Sequence, residues 1–173
     1  MTSQYSYWLE QSHPDWEVLN RGVNGERSDQ IAARFERDVV DAKPAIVVII
    51  AGVNDVYQGR RVEQITQQLD RMYDRAAKSG IPVVAGTIVP YNTATPDQNA
   101  RMRVVNAWIE QRASADPRIE FVDTRAAVAA PGAPDKLVDS PDQLHPSAAG
   151  YKLMADAIRP VLERVAAALP KGR

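Results

Sequence analysis

Seven consecutive apolar residues, Ala45-Ile46-Val47-Val48-Ile49-Ile50-Ala51, introduced by Pro44 and stopped by Gly52, constrain this chain more than any other segment. A β-branched run that is apolar at every position has no solvent face. It suits a strand covered on both sides, as in a parallel sheet between helices. Ile81-Pro82-Val83-Val84-Ala85-Gly86-Thr87-Ile88-Val89 has the same character and ends at Pro90. Glu17-Val18-Leu19-Asn20 and Ile119-Glu120-Phe121-Val122 are shorter strand candidates.

Between these runs the apolar period lengthens to that of a helix. Ser28 is placed to cap a helix over residues 29–41, in which Ile31, Phe35 and Val39 recur every fourth position. Val62, Ile65, Leu69, Met72 and Ala76 form a second stripe, closed by Gly80; Met102, Val105, Trp108 and Ile109 form a third. Ser147 is placed to cap a last helix whose Tyr151, Met154, Ile158, Leu162 and Val165 share a face. Strand and helix alternate four times, which predicts an α/β sandwich on a mostly parallel sheet, each helix serving as a crossover.

Length and charge narrow the function. The 173 residues fit one domain with a sizeable core. With 21 basic and 22 acidic side chains and a net charge of -1, no basic excess is available to hold a nucleic acid. Zero cysteines exclude a disulfide framework, a thiolate nucleophile and cysteine-ligated zinc. Residues 1–12 have neither a basic nor a long apolar region, and no apolar run approaches the ~20 residues that span a bilayer. The residues predict a soluble chain without a membrane span.

Open parallel sheets bind ligands beyond the carboxyl ends of their strands. The segments there are residues 21–28, 52–55, 90–93 and the long stretch 123–146, rich in Ala, Pro, Asp and Gly. Of two histidines, His13 sits beside Pro14 and reads as a surface residue, whereas His145 follows Asp142 by three positions and precedes the last helix. A carboxylate on one ring nitrogen fixes the tautomer and prepares the other nitrogen as a general base. An Asp-capped loop with an incidental histidine is the alternative. Asn54 and Gly25 supply a side-chain amide and a bare backbone N–H suited to an oxyanion hole; taken singly, they also read as a helix start and a turn.

In order along the chain, Asn20-Arg21-Gly22-Val23-Asn24-Gly25, then Gly52-Val53-Asn54-Asp55, then Asp142-Gln143-Leu144-His145-Pro146-Ser147-Ala148-Ala149-Gly150-Tyr151 resemble three of the four sequence blocks of the SGNH hydrolases, also called the GDSL esterase/lipase family. The resemblance is collinear from about residue 5 to residue 169. It implies a flavodoxin-like three-layer α/β/α fold and hydrolysis of an ester, thioester or sugar O-acyl bond with neither metal nor organic cofactor. By position, His145 matches the catalytic base, Asp142 its orienting carboxylate, Asn54 the side-chain oxyanion donor and Gly25 the backbone donor. Tyr57, Arg60, Arg61, Tyr91 and Asn92 are expected to line the rim, with Tyr57, Tyr91 and Asn92 binding a small acyl ester; residues 126–143 are expected to shape the acyl pocket.

The family's nucleophilic serine lies in a Gly-Asp-Ser sequence after its first strand, and this chain contains no Gly-Asp-Ser. Tyr5-Ser6-Tyr7-Trp8-Leu9 reads as the helix that follows that serine. The expectation is therefore a single domain over residues 1–173, amino-terminally incomplete and inactive as given, with strand and nucleophile upstream of Met1 and any targeting signal with them. Ser3, Ser6 and Ser12 fall in or beside the first helix, Ser28 reads as a cap, and Ser147 follows the base. A missing internal strand leaves backbone groups facing a gap, which a strand-swapped or other homo-oligomer would fill. Two other readings compete: a non-catalytic α/β binding or scaffold module, and a receiver-like or nucleotide-binding domain. The latter has no glycine-rich phosphate loop here and no acidic cluster.

Overall fold

The computed structural model of the chain describes residues 4–170; Ser3 lies outside them. Three parallel strands, β1 (Val47–Ile49), β2 (Val83–Gly86) and β3 (Ile119–Val122), pair in the order β1-β2-β3. Val47 registers with Val83, and Val83 with Ile119. Around them lie α1 (Tyr5–Ser12), α2 (Ser28–Phe35), α3 (Val53–Tyr57), α4 (Val62–Lys78), α5 (Pro96–Ser114), α6 (Thr124–Val128) and α7 (Ala148–Ala168). The pleat sends alternate strand residues to opposite faces. Ile49, Val83 and Ala85 pack with Phe35, Ile65, Leu69, Met72 and Ile109 from α2, α4 and α5. Val84 and Val122, with Val48 against them, pack with Leu9 of α1, Val128 of α6 and Met154, Ile158 and Leu162 of α7. This is the three-layer α/β/α sandwich, with a sheet apolar on both faces.

Several elements differ from the expectation. Residues 17–20 form no strand: Leu19 is 48% exposed, and among the described residues none of their main-chain groups has a backbone partner. An extended segment without a neighbour has no ladder to join. The apolar run 45–51 pairs as a strand only over β1, and the run 81–89 only over β2; past the carboxyl ends of both strands the chain turns to build the rim. The stretch 123–146 is not a structureless loop. Asp123 caps α6, and β4 (Ala129–Ala130) pairs antiparallel with β5 (Ala133–Leu137).

Ser28 is not the cap of α2. Arg27 holds that position, and Ser28 lies inside the helix with its hydroxyl donating to the buried Asp55 carboxylate at 2.7 Å. The predicted helix 29–41 is α-helical to Phe35 and then opens into a π turn, Glu36–Val40. Its wider ring, closed by Asp41 N–H on Glu36 C=O at 2.9 Å, lets both Val39 and Val40 reach the core. Ser147 caps α7 as expected, accepting from Gly150 N–H at 3.1 Å. His13 is not free on the surface: its Nε2 lies 3.0 Å from Glu163, and its ring packs edge-on to Trp16. Among the described residues, no helix is long and apolar enough to cross a membrane.

Candidate active site

The chain leaves each strand of the sheet toward the same rim. After β1, Gly52 takes φ +122, a conformation open to glycine, and a Cβ there would stand 2.9 Å from Ile88 and 3.0 Å from Ile65. That turn starts α3 and sets Asn54 in its first turn, where its Nδ2 donates to Glu26 C=O at 2.9 Å. Asn54 is thereby tied to the loop that carries Gly25, which is exposed with φ +80. Next to Asn54, Asp55 is 1% exposed and accepts from both the N–H and the hydroxyl of Ser28, each at 2.7 Å. This buried carboxylate locks the start of α2 to α3, and so holds the Gly25 loop beside Asn54.

On the other side of the rim, residues 139–146 wrap around Asp142. Its Oδ1 accepts from Leu144 N–H at 2.9 Å and His145 N–H at 2.8 Å, and its Oδ2 lies 2.6 Å from His145 Nδ1. The ring and these two amides hold the Asp142 carboxyl well below the usual carboxylate range. With Asp142 ionised, Nδ1 is the donor, and Nε2 of the neutral ring is left as a bare acceptor. Both side chains are about half exposed, at 54% for His145 and 49% for Asp142. Ser140 Oγ donates to His145 C=O at 2.8 Å, pinning the turn from behind.

A chain of contacts joins the two sides. Tyr57, at the end of α3 and 57% exposed, stands edge-on to Tyr91 with ring centroids 5.8 Å apart. Tyr91 is 2% exposed and its hydroxyl has no partner among the described residues; burial pushes that hydroxyl's pKa up. Asn92 follows and donates its N–H to Gln143 C=O at 2.8 Å, within the Asp142–His145 turn. Tyr57 is therefore the ring presented to solvent, and Tyr91 supports it from beneath. Arg60 reaches Asp29 at 3.5 Å, while Arg61 caps α4.

Three features escaped the sequence reading. The Ser28–Asp55 pair is separated by 27 residues and leaves no local signal. Asn106 accepts from Ile88 N–H at 2.7 Å and donates to Ile88 C=O at 2.9 Å, standing in for a strand neighbour just past β2. Its position was a signal, since it lies on the buried stripe with Met102, Val105 and Ile109. Arg125, 8% exposed, bonds Asn99 at 3.3 Å and Asp135 at 2.7 Å, tying α6 and the β4-β5 hairpin to α5. Of the serines weighed from the sequence, Ser12 bonds Leu9 C=O, Ser28 bonds Asp55 and Ser147 caps α7.

Comparison with known proteins bears on the family and the fold. Residues 2–153 match the profile of the GDSL-like Lipase/Acylhydrolase family. An acetylxylan esterase of Geobacillus stearothermophilus is 29% identical over 154 residues, covering 81% of this chain and 69% of that protein. Esterase TesA of Pseudomonas aeruginosa is 32% identical over 102 residues, 58% of this chain, and the match spans about half of TesA, 51%. The crystal structure of a GDSL-like lipase from Bacteroides thetaiotaomicron VPI-5482 superposes with a TM-score of 0.79 at 27% identity, covering 92% of this chain and 84% of that one. The chain belongs to the GDSL-like lipase/acylhydrolase family, and with it to the carboxylic ester hydrolases.

Proposed function

We propose that residues 1–173 are one domain carrying the base, its orienting carboxylate and the oxyanion donors of a serine-type hydrolase acting on an ester, thioester or sugar O-acyl bond. The observation that carries this reading is the 2.6 Å contact between His145 Nδ1 and Asp142, which commits Nδ1 and leaves the role of base to Nε2. The relatives named as esterases support an acyl ester as substrate. In the mechanism, a serine hydroxyl adds to the acyl carbonyl while His145 Nε2 takes its proton, and Asp142 stabilises the imidazolium. The oxyanion is met by Gly25 N–H and by the second N–H of the Asn54 amide, the first being spent on Glu26. His145 returns the proton to the leaving oxygen or sulfur, then activates water to release the acid.

The serine itself is the part this chain does not supply, since it contains no Gly-Asp-Ser. We place it on a strand alongside the open edge of β1. Val47 N–H donates to Pro82 C=O at 3.0 Å, so in a parallel ladder the N–H and C=O of Val48 face away from β2. Among the described residues, the main chain of residues 17–21 is also without backbone partners, which supports this reading.

The test is hydrolysis of p-nitrophenyl acetate. The chain alone is expected to show no enzyme-like turnover. Fused to a family member's first strand and Gly-Asp-Ser, it is expected to gain turnover that His145→Ala abolishes. Robust turnover by the unfused chain would mean another nucleophile has been recruited. A well-folded but inert fusion would favour the non-catalytic binding module.

A further inference from the structure

The Asp142–His145 pair lies on an irregular, solvent-facing segment. Both side chains are half exposed, and between β5 and α7 the main chain has no regular structure to fix its course. Beside the bonds within the turn, a residue on the neighbouring segment grips it from outside. Asn92 Oδ1 accepts from Leu137 N–H at 2.8 Å, at the end of β5. Its main-chain N–H donates to Gln143 C=O at 2.8 Å, and its Nδ2 lies 3.3 Å from Gln143 Oε1. Its own C=O accepts from Lys136 Nζ at 2.5 Å. One residue thus ties down both ends of the segment that carries the carboxylate, its side chain holding Leu137 and reaching the Gln143 side chain, its main chain holding Gln143 C=O.

Gln143 is the residue through which this grip reaches the imidazole. It has φ +65, a left-handed conformation that a side chain disfavours and that persists when its surroundings enforce it. That conformation brings the next two amides, Leu144 N–H and His145 N–H, back onto Asp142 Oδ1. Asn92 is in turn seated by Tyr91, which is buried beneath Tyr57.

We infer that Asn92 is the positioning residue of this site: by fixing Gln143 against Leu137 it sets the turn in which Asp142 holds the His145 ring with Nδ1–H inward and Nε2 bare. It acts through Gln143 and touches no reacting atom. The inference rests on the proposed acid–base role of the pair.

The tautomer of His145 reads this directly, and the chain as it stands suffices. Two histidines give two sets of ring signals, and His13 serves as the internal reference. With nitrogen-15 histidine at alkaline pH, proton–nitrogen correlation spectra give the fraction of each neutral tautomer. Wild type is expected to show mostly Nδ1–H at His145, and Asp142→Ala to lose that bias. Asn92→Ala is expected to lower the Nδ1–H fraction at least twofold while the His13 signals stay in place. Asn92→Asp, which keeps the acceptor for Leu137 N–H, is expected to retain most of it. If Asn92→Ala keeps the wild-type tautomer while Asp142→Ala loses it, the positioning role is overturned and the acid–base reading stands. If wild type shows no bias, or Asp142→Ala changes nothing, the acid–base reading fails and takes the inference with it. If Asn92→Ala does not fold, Gln143→Ala decides: an unchanged tautomer there overturns the proposal.

Discussion

Asp142 orders its turn by doing three things with one carboxylate: it takes two backbone N–H groups and one ring nitrogen. Each of these favours the ionised form, which is why its pKa lies well below the usual range. The consequence for stability has a definite sign. A group whose pKa is lowered on folding contributes stability that is complete above its unfolded value, ~4 for an aspartate, and is lost as pH falls toward the folded value. Denaturant unfolding of wild type and Asp142→Asn should therefore differ most at the upper end of the window from pH ~5 to ~2, the gap closing as pH falls. A gap that stays constant across that window would mean the turn does not select the ionised carboxylate. Asp55 makes a useful contrast, for it is buried where Asp142 is exposed and serves the start of α2 instead of a titrating ring.

At the scale of elements, Asn106 shows how a side chain substitutes for a strand. Past Thr87, whose N–H still reaches Val122 C=O at 3.2 Å, the β2 segment leaves its ladder, and Ile88, 1% exposed, would bury an N–H and a C=O without partners. The Asn106 amide meets both. Asn106→Ala removes both bonds at once, and an unpaired buried group costs about 1–3 kcal/mol. The expected loss is about 2–4 kcal/mol, read as a lower urea midpoint with an unchanged m-value. A loss below ~0.5 kcal/mol would show that Ile88 finds other partners. The same element explains what was legible in the sequence. Periodicity found α4, α5 and α7 because their apolar stripes face the sheet, and it found β1, β2 and β3 because both faces of those strands are covered. It overran the strand ends, since apolar content continues into the rim where hydrogen-bond pairing stops. It passed over α3, α6 and the β4-β5 hairpin, which are shorter than the windows in which a period can be counted. Asp142 and His145 were legible because three residues separate them. The Asp55–Ser28 and Asn92–Leu137 contacts were not, because they join segments 27 and 45 residues apart.

Across the whole molecule, the sheet is unevenly protected, and this follows from its strand order. β2 is paired on both sides, and its Val83, Val84 and Ala85 are fully buried; β1 is paired on one side among the described residues. In a parallel ladder, alternate residues of an edge strand bond inward and the others face out. Val47 N–H is bonded to Pro82, and the parallel register turns Val48 N–H away from β2. Hydrogen exchange should therefore alternate along β1: Val47 slow, Val48 faster by a factor of ~100 or more, and the β2 amides slowest, opening only with global unfolding. The residues 17–21 should exchange without measurable protection. In the fusion that restores a strand against this edge, Val48 should become as slow as Val47, because its N–H then has a carbonyl to bond. Uniform protection of Val47 and Val48 in the unfused chain would mean the edge is already covered, by a second copy or by residues folded back on it, and the slot proposed for the serine-bearing strand would not be open. Dilution separates these two cases, since protection by a second copy weakens as the dimer dissociates whereas protection within one chain does not.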